Sequence, residues 1–137
     1  MGLILDSSVL IQAERAGVNA EQSLQRIRER LDQQDVAIST ITLMEMAHGL
    51  ARADTAERRN VRQRFLTDIT DTLPVHPVTI PIALRAGQMD GEIKIRGLQV
   101  ALSDLLIGVT ALELGYDVAT HNLRHFRMIH GLTVVAL

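Results

Sequence analysis

Cysteine and tryptophan are absent from these 137 residues, and the aromatic side chains amount to two Phe and one Tyr. Without cysteine there is no disulfide framework and no thiolate metal site, in keeping with a reducing interior. With so few aromatic rings, the core must be packed from Leu, Ile, Val, Ala and Met, and a hydrophobic content of 47% can supply it. The N-terminus lacks the basic stretch and long apolar run of a secretory signal. The apolar runs fall well short of the ~20 residues needed to cross a bilayer. Lysine is almost missing as well, since 13 of the 14 basic residues are Arg. The net charge of −2 gives no global attraction for a polyanion. Yet Arg52, Arg58, Arg59, Arg62 and Arg64 crowd one segment, and a near-neutral total can hide a local basic face. Length and composition predict one soluble, cytoplasmic domain over residues 1–137.

Strand and helix signals alternate along the chain. GLIL (2–5) reads as a short buried strand ended by Asp6. In residues 21–34, Leu24, Ile27 and Leu31 recur at helical spacing with charges between them, which predicts an amphipathic helix packed on a core. VAIS (36–39) is a second strand. A long helical region is expected from Thr42, with Thr42 and Glu45 in a capping-box relation. Gly49 weakens it, and the Arg-rich stretch 52–64, interleaved with Asp54 and Glu57, starts a second helix or a bend with a solvated face. PVHPV (74–78) is an edge-type strand because proline removes ladder donors. Pro81 suits the first turn of a helix over PIALRAGQM (81–89). Residues 102–114 are apolar almost all round, the mark of a buried helix, and Gly115 stops it. DVAT supplies a fourth strand and LTVVAL a fifth. Strands separated by helices predict an α/β fold, a three-layer α/β/α sandwich with a mostly parallel central sheet.

In such sheets the functional crevice lies beyond the carboxyl ends of the strands. In LILDSSVLI, Asp6 sits at the end of the first strand, between two segments that both read as core. A charge in that position requires a partner. Asn122 follows the fourth strand, Glu45 lies about one turn into the helix leaving the second, and Asp104 is in the first turn of the buried helix. The four are thereby brought toward one rim. Two carboxylates ~4 Å apart repel by about 4 kcal/mol at an effective dielectric near 20. Protonation relieves this, and so does a divalent cation. An all-oxygen, cysteine-free set points to Mg²⁺ or Mn²⁺ rather than zinc, the equipment of phosphodiester hydrolysis. Taken singly, Asp104 also suits a helix dipole and Glu45 a capping box. His121 and His125 are four apart, a zinc-compatible spacing, but without a third ligand they read as rim histidines.

LILDSSVLI, ISTITLMEMAHGL, LSDLLIGVTALELGYDVATHNLRHF and IHGLTVV together resemble a PIN domain of the VapC type, the ribonuclease toxins of prokaryotic toxin–antitoxin pairs. The resemblance implies a Mg²⁺-dependent (or Mn²⁺-dependent) endoribonuclease. It places the three acids on Asp6, Glu45 and Asp104, with Ser7 as the hydroxyl after the first, and it puts Asn122 at the fourth acidic position. Many relatives also carry Asp where this chain has His125. It further implies an RNA substrate, a cognate antitoxin and a homodimer, and it makes part of the arginine cluster a guide for RNA or for an acidic antitoxin segment. Exposed, the Leu24, Ile27, Leu31 stripe would instead form a groove for an antitoxin helix. The alternative is a catalytically degenerate PIN module that binds RNA or a protein partner. An aspartyl phosphotransferase of the haloacid dehalogenase type is disfavoured, because Ser8 stands where its second Asp belongs and Lys94 is the sole lysine.

Overall fold

The computed structural model describes residues 2–32 and 34–137. Five strands form one all-parallel sheet: β1 (Gly2–Leu5), β2 (Asp35–Ser39), β3 (Val75–His76), β4 (Asp117–Thr120) and β5 (Val134–Ala136). Their order is β3-β2-β1-β4-β5. The chain winds outward in one direction through β2 and β3, then returns to the far side of β1 for β4 and β5. The topological switch therefore lies between β1 and β4, which pair Leu3 with Asp117 and Leu5 with Ala119.

The apolar strands are explained by helices covering both faces of the sheet. Side chains alternate across it with the strand period of two. Leu3, Leu5, Val36, Ile38 and Ala119 join one buried cluster, whereas Ile4, Ala37 and Val118 join the other. The first cluster is closed by α1 (Ser7–Arg15), α2 (Ala20–Arg30) and α4 (Ala56–Thr72), through residues such as Leu10, Leu24, Phe65 and Ile69. The second is closed by α5 (Ile80–Ile95), α6 (Leu102–Leu114) and α7 (Leu123–Arg127), through Ile82, Ile93, Leu105, Ile107 and Phe126. The predicted three-layer arrangement holds. Among the described residues, no helix is long and apolar enough to cross a membrane.

Several element predictions need correction. The helix expected over 21–34 ends at Arg30, and Gln33 lies outside the described residues. Its Leu24 and Ile27 are buried against the sheet and Leu31 packs beside them, so the stripe is core and offers no groove. Helix α3 (Thr40–Ala51) starts ahead of Thr42, and its cap is Ser39, whose hydroxyl accepts from the Ile41 amide at 3.0 Å. Thr42 is not a cap. Its buried hydroxyl donates to the Leu5 carbonyl at 3.3 Å, tying α3 to the end of β1. Helix α5 extends beyond residue 89 to Ile95, with Pro81 in its first turn and Thr79 as its cap. Helices α1 and α7 carry no strong sequence signal and are new. Helix α6 spans 102–114 as expected, ended by Gly115 in the left-handed conformation at φ 69°.

Gly108 lies where α6 meets the turn after α7. A Cβ added there would stand 2.5 Å from Ile129 Cδ1 and 3.2 Å from Leu132 Cδ2. Gly108→Val is expected to destabilise the fold by about 1–3 kcal/mol through overpacking. Urea unfolding checks this, and an unchanged midpoint would show that the contact is loose.

Candidate active site

Asp6 is the first residue after β1 and the N-cap of α1, and it is 3% exposed. An aspartate at this position normally turns its carboxylate onto the amides of its own helix. Here it makes no such cap bond. Instead, Oδ2 accepts from the Ser8 hydroxyl at 2.7 Å and the Thr120 hydroxyl at 2.9 Å. The Asp6 amide donates to the Ala119 carbonyl at 3.0 Å, locking the residue into the β1–β4 switch. Oδ1 is buried and has no hydrogen-bond partner among the described residues. A carboxylate oxygen so placed is costly unless something positive meets it.

Glu45 arrives from the second turn of α3 and Asp104, 8% exposed, from the first turn of α6. Asp6, Glu45 and Asp104 each offer a carboxylate oxygen within 4.8 Å of the others'. Glu45 Oε1 accepts from the Ser7 hydroxyl at 3.1 Å, so Ser7 also belongs to the site. Burial, as the larger cause, and the charges of Asp6 and Asp104 push the Glu45 pKa up against the pull of the Ser7 hydrogen bond. Burial likewise raises Asp104, together with the Asp6 charge, and His125 opposes this.

His125 is the residue that sequence reasoning undervalued. It stands on α7 with Nδ1 at 2.8 Å from Asp104 Oδ2 and 3.1 Å from Asn122 Nδ2. One ring nitrogen cannot both donate to a carboxylate and accept from an amide. With Asp104 ionised, Nδ1–H donates to it, and a hydrogen bond from the ring to Asn122 would then require the amide to present its oxygen. Asn122 thus reaches the acids through His125, and its backbone amide donates to the Thr120 hydroxyl at 2.8 Å. Among the described residues His121 joins no group of three possible metal ligands; its backbone amide donates to Ser8 Oγ at 3.2 Å. Ser8 and Thr120 were not singled out in the sequence. The available signals were a second hydroxyl after Asp6 and a hydroxyl closing the fourth strand.

Hard oxygen donors, mutual repulsion and an orphaned buried carboxylate oxygen together fit a divalent cation at Asp6, Glu45 and Asp104.

The PIN domain family model matches residues 3–130. The chain belongs to the PIN domain family. Among its relatives is Ribonuclease VapC1 of Rickettsia felis, 26% identical over 137 residues, covering 100% of this chain and 97% of the relative. Ribonuclease VapC10 of Mycobacterium tuberculosis is 35% identical over 130 residues, covering 95% of this chain and 90% of the relative. The PIN fold here also superimposes on the DNA-bound VapBC structure from Salmonella typhimurium with a TM-score of 0.82. That match has 25% identity and covers 99% of this chain and 98% of that one.

The raised pKa values carry a sign. Without metal, Glu45 and Asp104 hold protons in the folded PIN domain at pH values where the unfolded chain has released them. Their contribution to stability therefore falls as pH rises from the ordinary carboxylate range through the folded values. The melting temperature in EDTA is expected to show this decline. Asp6→Asn, which removes one of the repelling charges, is expected to flatten it without abolishing it, since burial remains the larger cause. An identical slope in both proteins would contradict the coupling.

Proposed function

We propose that the chain, acting as one PIN domain over residues 1–137, is the ribonuclease toxin of a toxin–antitoxin pair. It is an endoribonuclease that requires a divalent cation, with Mg²⁺ the preferred ion and Mn²⁺ able to replace it. The observation that carries this is the convergence of Asp6, Glu45 and Asp104 from three separate elements around an Asp6 oxygen that no protein donor satisfies. The likeness to named VapC ribonucleases supports the reaction, and the likeness to a VapBC structure supports a cognate antitoxin as partner. A homodimer and a cytoplasmic location are part of the same proposal.

Asp6 and Asp104 would hold the cation directly, and one tightly bound ion is expected because Asn122 and His125 supply no further negative charge. When bound, the ion lowers the pKa of a coordinated water and offsets charge on the scissile phosphate. The protein's own contributions are positional and protolytic. Ser8 and Thr120 fix the Asp6 carboxylate, and His125 fixes that of Asp104. Glu45, oriented by the Ser7 hydroxyl beside the cation position, takes the proton from the attacking water. In-line attack on phosphorus then leaves a 5′-phosphate and a 3′-hydroxyl.

Purified protein free of antitoxin is expected to degrade RNA with Mg²⁺ and to stop on addition of EDTA. A degenerate binding module would retain RNA without cutting it. Loss of an outer partner of a metal ligand costs about 10- to 100-fold, so Asp6→Asn or Asp104→Asn, which removes a ligand, is expected to lower cleavage by more than about 100-fold. Growth arrest should be lost with cleavage while the fold persists. Cleavage by either variant at the wild-type rate would remove these residues from the mechanism.

Thr120→Val deletes a donor to Asp6 and keeps the shape of the side chain. It is expected to weaken Mn²⁺ binding by about 10- to 100-fold, read by electron paramagnetic resonance. Unchanged affinity would leave Thr120 a purely structural residue.

A further inference from the structure

A cavity of about 750 Å³ opens beside the acid cluster, and Glu45 and Ser103 form part of its lining. Arg15, Arg52 and Arg62 also line it. The arginine-rich segment is sorted by the fold into residues with different surroundings. Arg58 pairs with Asp54 at 2.8 Å. Arg62 is held by the Gly49 carbonyl at 2.7 Å and lies 3.8 Å from Glu14. Arg15 and Arg52 are exposed, and neither forms an ion pair among the described residues. Arg15 ends α1 and Arg52 caps α3. The negative end of a helix dipole explains a cation at either terminus. It does not explain why two helices from different parts of the chain bring theirs to one cavity next to the acids.

The distances suit a polyanion. Arg52 lies seven residues beyond Glu45 on the same helix, about 10 Å at 1.5 Å per residue. Arg15 lies nine residues beyond Asp6, about 13 Å by the same rise. A chain of phosphates with one group at the acids would therefore present later phosphates to both guanidinium groups, which recognise phosphate by paired donors. Met44, 55% exposed, adds apolar surface to the same cavity.

We propose that Arg15 and Arg52 form a backbone track for single-stranded RNA, binding phosphates on one side of the scissile bond. This rests on the ribonuclease function proposed above, and it adds Arg15, which lies outside the arginine-rich segment. The two arginines are positioning residues: they hold the substrate and take no part in the bond-breaking step.

The test compares wild-type protein with Arg15→Gln/Arg52→Gln, Arg15→Lys/Arg52→Lys and a control, Arg59→Gln/Arg96→Gln, which removes equal charge outside this cavity. Binding of a fluorescent oligoribonucleotide is measured in EDTA across a salt series, so the result does not depend on catalysis. Removing two phosphate contacts on a single strand is expected to reduce the slope of log affinity against log salt by about 1.4. Affinity at low salt should fall roughly tenfold or more. The lysine pair should keep most of the slope, and the control should behave as wild type. With metal present, KM for the oligonucleotide should rise while kcat stays near the wild-type value. A slope equal to wild type, or an equal drop in the control, overturns the track. So does unchanged RNA binding together with lost binding of poly-L-glutamate, which would assign the arginines to an acidic protein partner. If wild-type protein binds RNA through these residues but never cuts it with metal, the track stands and the ribonuclease function falls.

Discussion

Mutual repulsion among three carboxylates is the constraint around which this molecule is arranged. Asp6 must be held in the interior, at the junction of two parallel strands, while Glu45 and Asp104 approach it from two separate helices, α3 and α6. Each acid has its own donor: Ser8 and Thr120 for Asp6, Ser7 for Glu45 and His125 for Asp104. These contacts orient the carboxylates without neutralising them, and burial first, with the neighbouring charges after it, leaves the pKa values of Glu45 and Asp104 raised. A site of this kind stores an affinity for cations in its geometry, since the scaffold has already opposed the repulsion that a flexible chain would relieve by moving apart.

The reverse turn in strand order makes this possible. Because β1 lies between β2 and β4, the segments leaving β1 and β4 diverge to opposite layers and leave an opening at their carboxyl ends. Thr42 ties the start of α3 to the Leu5 carbonyl, so the helix bearing Glu45 is referenced to the strand that delivers Asp6. Beyond the fourth strand, Asn122 and His125 bring no carboxylate to the site. The cluster consequently consists of three carboxylates among the described residues, with a histidine that can donate to Asp104.

Much of this was legible in the sequence, and the failures have physical causes. Asp6, Glu45 and Asp104 could be placed because each sits at a fixed offset from a strand end or helix start, and strand ends are marked by loss of apolar character. The order of layers followed from period and alternation. Helix α1 was missed because Val9, Leu10 and Ile11 form a short aliphatic run that carries no helical period on its own. Helix α7 has five residues, too few to show one. The apparent capping box at Thr42 matched a local pattern, but a distant carbonyl claimed the hydroxyl. His125 was undervalued for a related reason: its partner Asp104 lies 21 positions away, and local spacing cannot reveal such a pair.

The hydrogen bond from Thr120 to Asp6 joins residues 114 positions apart. Its formation requires β4 to lodge beside β1 once the intervening strands and helices exist, and contacts of such separation close late in folding. The acid cluster is therefore completed only when the two central strands have paired. For a protein that degrades RNA, the topology itself withholds the assembled site from any chain whose sheet has not yet closed around β1.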